Sequence, residues 1–421
     1  MEKYILPNIH DYHKIDVYEQ HGGYTAMKKA LQMKPDEVID EVKKSGLRGR
    51  GGACFPTGLK WSFMPKGNDK PKYLAVNGDE SEPGTFKDRQ IFEFNPHMMI
   101  EGIIIGCYAM GITAAYVYIR GEYRKWIKMI DAALVDAYAK GYIGENILGS
   151  GFSTNIYTHC GAGAYICGEE SALMNSLEGE RGYPRVKPPF PAQKGLWGMA
   201  TTINNVETMT NIPLIINKGS DWYSKIGVAK HPGPILVGIS GHVNKPGVYE
   251  VPTGVPLLTL INDPQYGGGV PNGKRIKAVI PGGSSTMVLR GENLEGVNMD
   301  ADSLKTAGSS VGTAGLIVMD EDTDIVAVLS RIAHFYHHES CGQCTPCREG
   351  TGWLEKMLHR FEQSDARQED VEMLVEVANQ IEGNTICALG DAAAWPVQSF
   401  VKRFREEFEK RVKVKEEVDA A

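Results

Sequence analysis

The stretch Cys341-Gly-Gln-Cys344-Thr-Pro-Cys347, joined further along the chain by Cys387, is the part of the sequence from which the fold is best interpreted. Three thiols at this spacing can bind three corners of a [4Fe–4S] cubane, and a fourth cysteine from elsewhere completes the set. A zinc ion is the alternative, although structural zinc sites usually pair one CxxC with a second CxxC or with histidines. The three-plus-one layout favours the iron–sulfur cluster and leaves zinc open.

The composition limits the class of protein. With 421 residues the chain should hold two or three domains. A net charge of −7 gives no electrostatic basis for binding nucleic acid, so we expect no nucleic-acid partner. The other four cysteines are scattered along the chain and form no disulfide framework, so we expect the protein to reside in a reducing cytosol. These cysteines are Cys54, Cys107, Cys160 and Cys167.

The termini and apolar runs predict no targeting or membrane segment. The first residues lack the charged-then-apolar pattern of a signal peptide. The most apolar stretch, 98–119, is interrupted by Glu101 and several glycines. It therefore predicts a buried helix that runs into a strand, and not a bilayer span.

The first half of the chain alternates between helical and strand patterns, which predicts an α/β layer with some parallel strands. The expected elements are a helix from 34 to about 46, a strand at 73–76, a helix at about 96–110, a strand at 115–120, and helices at about 124–140, from 171 and from 202. The proline- and glycine-rich residues 184–198 predict an irregular surface loop.

The pattern changes twice in the second half. Short strands at 235–240, 247–251 and 276–280 predict a small β-rich domain. Beyond about 320 the pattern is helical to the end. The tail from Val401 mixes both charge signs and predicts a solvated helix or a frayed end.

Two glycine-rich segments are candidate binding loops. In the first, 47–58, the glycines Gly49, Gly51 and Gly52 would let backbone N–H groups approach a phosphate or a flavin. The second, 160–170, opens a helix, where anions are favoured. Neither is a Walker loop or a GxGxxG fingerprint, so ordinary tight turns remain an alternative for both.

Charged and aromatic side chains near these loops allow two interpretations. Asp79, Glu80, Glu82, Glu169 and Glu170 form either solvated acidic loops or a binding site for ribose or ribityl hydroxyls that repels a 2′-phosphate. Phe55, Phe63 and Phe190 either stack on a planar ligand or fill the core. His334, His337 and His338 are expected on a helix surface, and Cys107 and Cys167 as small buried hydrophobes.

Five motifs together resemble one family. They are Gly-Arg-Gly-Gly-Ala-Cys-Phe-Pro-Thr-Gly (49–58), Asn-Gly-Asp-Glu-Ser-Glu-Pro-Gly (77–84), Gly-Ala-Gly-Ala-Tyr-Ile-Cys-Gly-Glu-Glu (161–170), Asn-Asn-Val-Glu-Thr (204–208) and Glu-Ser-Cys-Gly-Gln-Cys-Thr-Pro-Cys-Arg-Glu-Gly (339–350). In this order, from about residue 20 to about 400, they resemble the NADH-binding flavoprotein subunit of respiratory complex I, NADH:quinone oxidoreductase. The same module occurs in NAD-linked hydrogenases and formate dehydrogenases.

The resemblance implies a fold of three parts. An α/β Rossmann-like flavin domain would span 1–230, and a small β-grasp (ubiquitin-like) domain 231–320. A C-terminal helical bundle, 321–421, would carry the iron–sulfur cluster. These parts match the three zones of composition.

The resemblance also implies the site. FMN would bind at Gly49, Gly51, Lys60, Asn77, Asp79, Ser81, Tyr165, Gly168, Glu169, Asn204, Asn205 and Thr208. NADH would place its adenine among Phe55, Phe63 and Phe190, with Lys187 and the two residues assigned to the catalytic site, Glu82 and Glu170, near its polar parts. The [4Fe–4S] cluster would be held by Cys341, Cys344, Cys347 and Cys387.

The implied activity is hydride transfer from NADH to FMN, followed by single electrons to the cluster, as the input subunit of complex I. No side chain need act as an acid or base, and Glu170 is the residue expected to affect nucleotide selection most. The implied partners are a thioredoxin-like [2Fe–2S] subunit and a large multi-cluster iron–sulfur subunit, which would place the chain in the cytoplasm, peripheral on the cytoplasmic side of the inner membrane through its complex.

Two alternatives to complex I remain. One is the diaphorase subunit of a soluble hydrogenase or formate dehydrogenase, although such relatives often carry extra domains for which this chain has no room. The other is a non-catalytic iron–sulfur or zinc scaffold. Only two departures from the family pattern favour the scaffold: Cys54 stands where glycine is common, and Cys160 where arginine is common. If the backbone of Cys54 has a positive φ, its Cβ costs about 1 kcal/mol and could crowd the nucleotide.

Overall fold

The computed structural model describes residues 2–67 and 70–413. Its first part is built on a parallel four-stranded sheet in the order β3-β2-β1-β4. The strands are β1 (Tyr73–Gly78), β2 (Ala114–Ile119), β3 (Asn155–Cys160) and β4 (Thr201–Asn205). Because all four are parallel, their carboxyl ends meet at one edge. The strand order runs in opposite directions from β1, towards β2 on one side and β4 on the other, and such a switch point is where open α/β sheets bind ligands.

In the part of the chain that the structure describes, ten helices accompany this sheet. They are α1 (Ile15–Gln20), α2 (Thr25–Ala30), α3 (Pro35–Lys44), α4 (Thr57–Ser62), α5 (Asp88–Phe94), α6 (Pro96–Met110), α7 (Arg124–Ala139), α8 (Glu170–Leu177), α9 (Val206–Lys218) and α10 (Ser220–Tyr223). The helix predicted at 96–110 and the strand after it are confirmed, and α6 is buried nearly all round. Within the described part of the chain, no helix is long and apolar enough to cross a membrane.

The two faces of the sheet are covered differently. Leu74 and Val117 belong to a large core that also contains residues of α6, α7 and α9. On the other face, Ala75 and Tyr118 pack in a second core with residues of α8 and the four cysteines of the cluster motif. The cysteine site is therefore packed against the sheet that carries the glycine-rich loops.

The predicted start of a helix at Thr202 is wrong. Residues 201–205 form β4, which pairs with β1, and α9 begins at Val206. The Asn205 side chain accepts the N–H of Glu207 and so caps α9. The β-branched residues Thr-Thr-Ile favour a buried strand, and pairing with β1 stabilises the strand conformation over the helix.

The second part is a mixed sheet. A short ribbon of β5 (Gly227–Val228) and β6 (His231–Pro232) precedes it. The five strands lie in the order β10-β9-β11-β7-β8. They are β7 (Pro234–Gly241), β8 (Gly247–Pro252), β9 (Ile276–Ile280), β10 (Leu289–Arg290) and β11 (Gly315–Asp320), with helices α11 (Leu257–Asn262) and α12 (Ala301–Thr306). The central pair β7 and β11 is parallel, and the other pairs are antiparallel. The three strands expected from the sequence are all present.

The third part is helical, as predicted. Its elements are α13 (Ile325–Glu339), α14 (Thr345–Glu362), α15 (Asp370–Ile381), α16 (Leu389–Arg403) and α17 (Arg405–Glu409). The sequence predicted a solvated helix or a frayed end from Val401, and this is wrong for the residues up to the end of α17. Phe404, at the junction of α16 and α17, and Phe408, within α17, are both buried. Residues 414–421 of that tail lie outside the described residues.

Two buried carboxylates hold the N-terminal segment in place. Glu250 on β8 accepts the backbone N–H groups of Tyr4, Ile5 and Leu6 at 2.7–3.0 Å. Glu101 on α6 accepts those of Tyr24 and Met27. The first residues of the chain thus join the α/β part to the β-rich part.

Candidate functional site

The first glycine-rich loop lies over the end of β4. Its base is closed by the Gly49 N–H, which donates to the Phe55 carbonyl oxygen at 2.9 Å. The Arg50 N–H donates to Thr208 Oγ1 at 2.8 Å. A Cβ on Gly51 would lie 3.0 Å from the Asn205 Cβ, and Gly52 has a φ of +116°. The loop therefore needs glycine at both positions to approach the start of α9.

Asp79 provides an unpaired acceptor at the end of β1. Ser81 Oγ donates to Asp79 Oδ1 at 3.2 Å, whereas Oδ2 is buried and has no hydrogen-bond partner among the described residues. Burial raises the pKa of Asp79 to about 7. Buried polar atoms are normally paired, so this oxygen fits a ligand group that donates a hydrogen bond, such as a ribityl hydroxyl.

The second glycine-rich loop is joined to the same strand end. Asn77 Nδ2 donates to the Gly168 carbonyl oxygen at 2.7 Å. A Cβ on Gly168 would lie 3.5 Å from Asp79 Oδ2. The three loops together form what we call the strand-end site, defined by residues 49–52, 77–82 and 165–170.

The solvated-loop interpretation of Asp79, Glu80 and Glu82 is wrong. Glu80 is buried and accepts the Asp88 N–H at 2.7 Å and the Tyr123 hydroxyl at 2.9 Å. Glu82 accepts the Tyr165 hydroxyl at 2.8 Å. These carboxylates shape the loop through hydrogen bonds inside the protein.

Glu82 also reaches the β-rich part. Its Oε1 accepts the Ser285 N–H at 2.7 Å and lies 3.2 Å from Ser284 Oγ. Burial raises the pKa of Glu82. Ser284 Oγ in turn contacts the Tyr336 hydroxyl at 2.9 Å, so this network touches all three parts of the fold.

A buried ion cluster supports Asn205 and was not foreseen from the sequence. Lys87 lies 2.9 Å from Asp88 and 2.7 Å from Glu207, with all three side chains nearly inaccessible. Asn205 Nδ2 donates to Asp88 Oδ2 at 2.7 Å. Burial lowers the pKa of Lys87, but the carboxylates outweigh it and the net pKa is raised. The sequence places Lys87 and Asp88 side by side but Glu207 far along the chain, so no local pattern indicates the cluster.

Asn204 points away from Asn205, towards α4. Its Oδ1 accepts the Trp61 indole N–H at 3.0 Å, in a buried contact. Successive side chains of a strand point to opposite faces, so only one of these two asparagines can extend towards the glycine loop. Asn205 lies against Gly51.

Glu169 and Glu170 are held by cations. Glu169 Oε2 caps α8 by accepting the N–H groups of Ser171 and Ala172. Lys187 Nζ lies 3.0 Å from Glu169 and 2.7 Å from Glu170. Lys60 Nζ lies 3.3 Å from the other oxygen of Glu170. Burial acts to raise the pKa of Glu170, but the two lysine charges outweigh it and the pKa is lowered.

Three aromatic side chains beside this site are exposed. Phe55, Phe63 and Phe190 are 44%, 54% and 54% accessible, which rules out the core-filler interpretation. The rings of Phe55 and Phe63 lie 6.2 Å apart. Exposed aromatic rings of this kind can stack on a planar ligand.

The two unusual cysteines lie in different surroundings. Cys54 has a φ of +51°, the strained geometry anticipated for it. Its side chain packs against the core of the five-stranded sheet. Cys160 is exposed at the end of β3, and both are free thiols, so no disulfide joins them. Cys107 and Cys167 are buried, as predicted.

The four cluster cysteines come together. Cys347 is buried, and Cys341, Cys344 and Cys387 pack against the same core, next to the second glycine-rich loop. Burial raises the pKa of Cys347 to about 11 and that of Cys387 to about 12, with the neighbouring thiols adding to the effect. A metal that binds thiolates offsets this cost, since cations deprotonate coordinating thiols.

The four thiols suit an iron–sulfur cluster, because a cubane spreads its iron atoms over four separate thiolates. Across residues 2–67 and 70–413, no group of three His, Cys, Asp or Glu side chains is placed around a single metal ion. His334 and His337 lie on the helix surface and contact Glu355, as expected of non-ligands.

The strand-end site and the cysteine site are in direct contact. The Tyr165 N–H donates to Glu339 Oε2 at 3.0 Å, and its ring packs edge-on against Phe335 at 5.2 Å. A switch-point site with glycine loops, exposed aromatic rings and an adjoining four-cysteine site defines the class: a flavin- and iron–sulfur-carrying electron-transfer protein.

Comparison with known proteins gives the family. Residues 42–214 match the Nuo51 FMN-binding domain, residues 236–328 the SLBB domain, and residues 327–411 the NADH-ubiquinone oxidoreductase-F iron-sulfur binding region. The F subunit of NADH-quinone oxidoreductase from Rickettsia bellii (strain OSU 85-389) is 52% identical over 98% of this chain and 99% of its own length. The corresponding protein of Rickettsia typhi is 54% identical over 94% and 93%.

Solved structures agree. A chain of an NAD+-reducing [NiFe]-hydrogenase in the H2-reduced state superposes with a TM-score of 0.84 at 33% identity and covers 93% of this chain. The air-oxidised state gives a TM-score of 0.83. The present chain spans 65% of the length of the H2-reduced hydrogenase chain.

The chain belongs to the family of F subunits of NADH-quinone oxidoreductase. It is an enzyme subunit with an FMN-binding domain and an iron–sulfur binding region. The resemblance drawn from the five motifs is confirmed, and the non-catalytic scaffold is set aside.

Proposed function

We propose that the chain oxidises NADH at the strand-end site and delivers the electrons to a [4Fe–4S] cluster on Cys341, Cys344, Cys347 and Cys387. The observation that carries this is the contact between Tyr165 of the strand-end site and Glu339 of the cysteine loop. When bound, FMN accepts a hydride and releases its electrons singly, as a cluster requires. The residues of the chain hold, orient and shield the reacting groups.

FMN is held by the strand ends and the two glycine-rich loops. Gly49, Gly51 and Gly52 allow backbone N–H groups close to the phosphate, and Lys60 supplies a cation. The orphaned oxygen of Asp79 accepts a hydrogen bond from the ligand. The other residues expected at the FMN site would support the loops, or α4 in the case of Asn204, through the hydrogen bonds described above: Asn77, Ser81, Tyr165, Gly168, Glu169, Asn204, Asn205 and Thr208.

NADH binds beside the aromatic side chains. Phe55, Phe63 and Phe190 offer rings on which adenine stacks. Glu170, fixed by Lys60 and Lys187, accepts ribose hydroxyls and disfavours a 2′-phosphate. Glu82 acts through Tyr165, by fixing the loop on which the flavin lies.

The three parts of the fold correspond to three domains. Residues 1–230 form a Rossmann-like domain, supported by the β3-β2-β1-β4 order. Residues 231–320 form a β-grasp domain, supported by the parallel central pair β7 and β11. Residues 321–421 form the helical cluster domain, apart from 414–421, which lie outside the described residues.

The assembly is NADH:quinone oxidoreductase, with a thioredoxin-like [2Fe–2S] subunit and a multi-cluster iron–sulfur subunit as partners. Identity of 52% over 99% of the Rickettsia bellii protein supports this more than the hydrogenase chain, a third of which has no counterpart here. The chain would lie on the cytoplasmic side of the membrane. Neighbouring genes for membrane-arm subunits would support this assembly, and hydrogenase or formate dehydrogenase genes would contradict it.

An anaerobic titration tests the activity. The purified protein, reconstituted with FMN and iron and sulfide, is titrated with NADH and separately with NADPH while the flavin absorbance is followed. Bleaching by NADH and not by NADPH is expected. A flavin that NADH fails to reduce would overturn the proposed function.

A further inference from the structure

Glu339 links the two redox sites through a single carboxylate. It is the last residue of α13, two positions before Cys341. Its side chain is only 18% exposed. One carboxylate oxygen accepts the Tyr165 N–H at 3.0 Å, and the other lies 3.2 Å from His338 Nδ1.

Tyr165 begins the turn that completes the strand-end site. The turn covers Tyr165–Gly168, and Asn77 fixes its last carbonyl group. Across from it, Ser340 Oγ lies 3.1 Å from Cys347 Sγ and accepts the Gly342 N–H at 3.4 Å, so the loop after Glu339 is tied to the cysteines. Glu339 therefore connects a turn of the flavin site to the loop that carries the cluster.

Other contacts also cross this boundary, among them the Ser284 hydroxyl, which links Glu82 to Tyr336. Tyr165 packs against Phe335 and Tyr336 with ring centroids 5.2 and 6.0 Å apart. Such apolar packing is largely non-directional, whereas a hydrogen bond from a backbone N–H to a carboxylate is short and directional. The Glu339 contact is the one next to the cysteine loop, so it bears most directly on the separation of the two loops.

We propose that Glu339 is a positioning residue for electron transfer between the flavin and the cluster. The inference rests on the proposed function. Glu339 acts through the Tyr165 amide and the cysteine loop, and it holds the two groups at a separation at which single electrons pass. The hydrogen-bond partners of Glu339, Tyr165 and His338, are not among the residues proposed to bind NADH, so hydride transfer should not depend on it.

Two substitutions distinguish the effect of the hydrogen bond to Tyr165 from the effect of the rest of the Glu339 side chain. Glu339→Ala removes the acceptor of the Tyr165 N–H. Glu339→Gln retains an oxygen that can accept it. Glu355→Gln is the matched control, because Glu355 also binds side chains of α13, namely His334 and His337, but on the outer surface.

The reconstituted full-length protein is mixed rapidly with NADH under anaerobic conditions. Flavin bleaching gives the first rate, and the EPR signal of the reduced cluster in rapidly frozen samples gives the second. Glu339→Ala should slow the second rate by about tenfold or more and leave the first unchanged. Glu339→Gln and Glu355→Gln should keep both rates.

A measurement without NADH tests the hydrogen bond itself. Hydrogen exchange at the Tyr165 amide should be faster in Glu339→Ala than in the parent and normal in Glu339→Gln. If Glu339→Ala fails to hold the cluster, Glu339→Asp replaces it, since the shorter side chain keeps the charge but cannot reach Tyr165. The same slow second rate is expected.

Two results would overturn the inference: a parental rate of cluster reduction in Glu339→Ala or Glu339→Asp, or a parental exchange rate at the Tyr165 amide in Glu339→Ala. Failure of NADH to bleach the flavin of the parent would instead overturn the proposed function, so the two failures are distinct.

Discussion

Glu170 illustrates how single charges act at the strand-end site. Its carboxylate lies between Lys60 and Lys187, so three charged side chains share a partly buried surface. With the Glu170 carboxylate neutralised, Lys60 would lose the carboxylate described here and Lys187 would keep only Glu169. Selection between NADH and NADPH should therefore depend on this one charge.

Replacing Glu170 by glutamine tests that dependence. In Glu170→Gln the 2′-phosphate of NADPH no longer meets this negative charge, and Lys60 becomes available to it. We expect kcat/KM for NADPH to rise about tenfold relative to NADH, which corresponds to roughly 1.4 kcal/mol. Glu178→Gln, on a carboxylate that pairs with Arg185 near the end of the same helix, is the control. Unchanged discrimination would remove Glu170 from this role.

Asp79 should make the stability of the flavin-free chain depend on pH. Burial raises its pKa from 3.8 to about 7, so in this range the folded chain keeps a proton that the unfolded chain has released. This contribution to stability is present below about pH 4 and is lost as the pH rises through 7. Asp79→Asn should therefore gain stability relative to the parent as the pH increases.

The check is the thermal unfolding midpoint of both flavin-free proteins across this pH range. Asp131→Asn, whose carboxylate accepts the exposed Thr158 hydroxyl, should follow the parent at every pH. A constant difference between Asp79→Asn and the parent would show that Asp79 does not titrate as described.

At the scale of elements, the order of the parallel strands explains why distant motifs meet. The segments after β1 and β4 lie side by side because these strands pair directly, from Tyr73 with Thr201 to Asn77 with Asn205. Asn77 and Asn205 are thereby placed in one site. No local property of either motif requires this.

The alternation of helices and strands was predictable because hydrophobic periodicity records which face of each element is buried. The strand β4 was missed because it is only five residues long and leads straight into α9. The burial of Glu80 and Glu82 was missed for another reason: their partners are Asp88, Tyr123, Tyr165 and Ser285, and only the fold reveals such contacts.

Some features of the candidate site could likewise be predicted from the sequence, and others could not. The four cysteines that the structure brings against one core could be selected from their spacing in the sequence. The sequence could raise the positive φ of Cys54 only as one case to consider, because a sequence does not determine the backbone angles of a single residue. That its side chain packs against the β-rich core could not be read from residues 47–58, since the contact lies between parts of the fold.

The clamp on the N-terminal segment gives a prediction for one element. Glu250→Ala leaves the N–H groups of Tyr4, Ile5 and Leu6 without their acceptor in a largely buried place. We expect a loss of about 2–3 kcal/mol in stability. Faster hydrogen exchange at these three amides and a lower unfolding midpoint are the measurements. Glu93→Gln, on a carboxylate that pairs with exposed Lys125, should change neither.

At the scale of the whole molecule, the three parts of the fold meet at the strand-end site. The β-rich part contributes Ser284 and Ser285 to the Glu82 network, and the helical part contributes Tyr336 and Glu339. The flavin loop is therefore supported from both of the other parts. Loss of the cluster should leave the flavin reaction intact.

Cys387→Ser tests this independence. The change removes the fourth thiolate, so we expect the absorbance and EPR signal of the cluster to disappear or weaken strongly. NADH should still bleach the flavin, but a one-electron acceptor that draws on the cluster should no longer be reduced. Cys160→Ser, which removes an exposed thiol at the end of β3, should retain the cluster. A full cluster signal in Cys387→Ser would exclude Cys387 as a ligand.

The Glu250 clamp also sets an order of events during biosynthesis. Tyr4 and its acceptor are separated by 246 positions. At the usual speed of translation, roughly 12 to 50 s pass between their synthesis. Until then the N–H groups of Tyr4, Ile5 and Leu6 lack their acceptor, although Ile5 can already pack in the core of the α/β part. A fragment ending at residue 230 would keep that packing and lack the clamp.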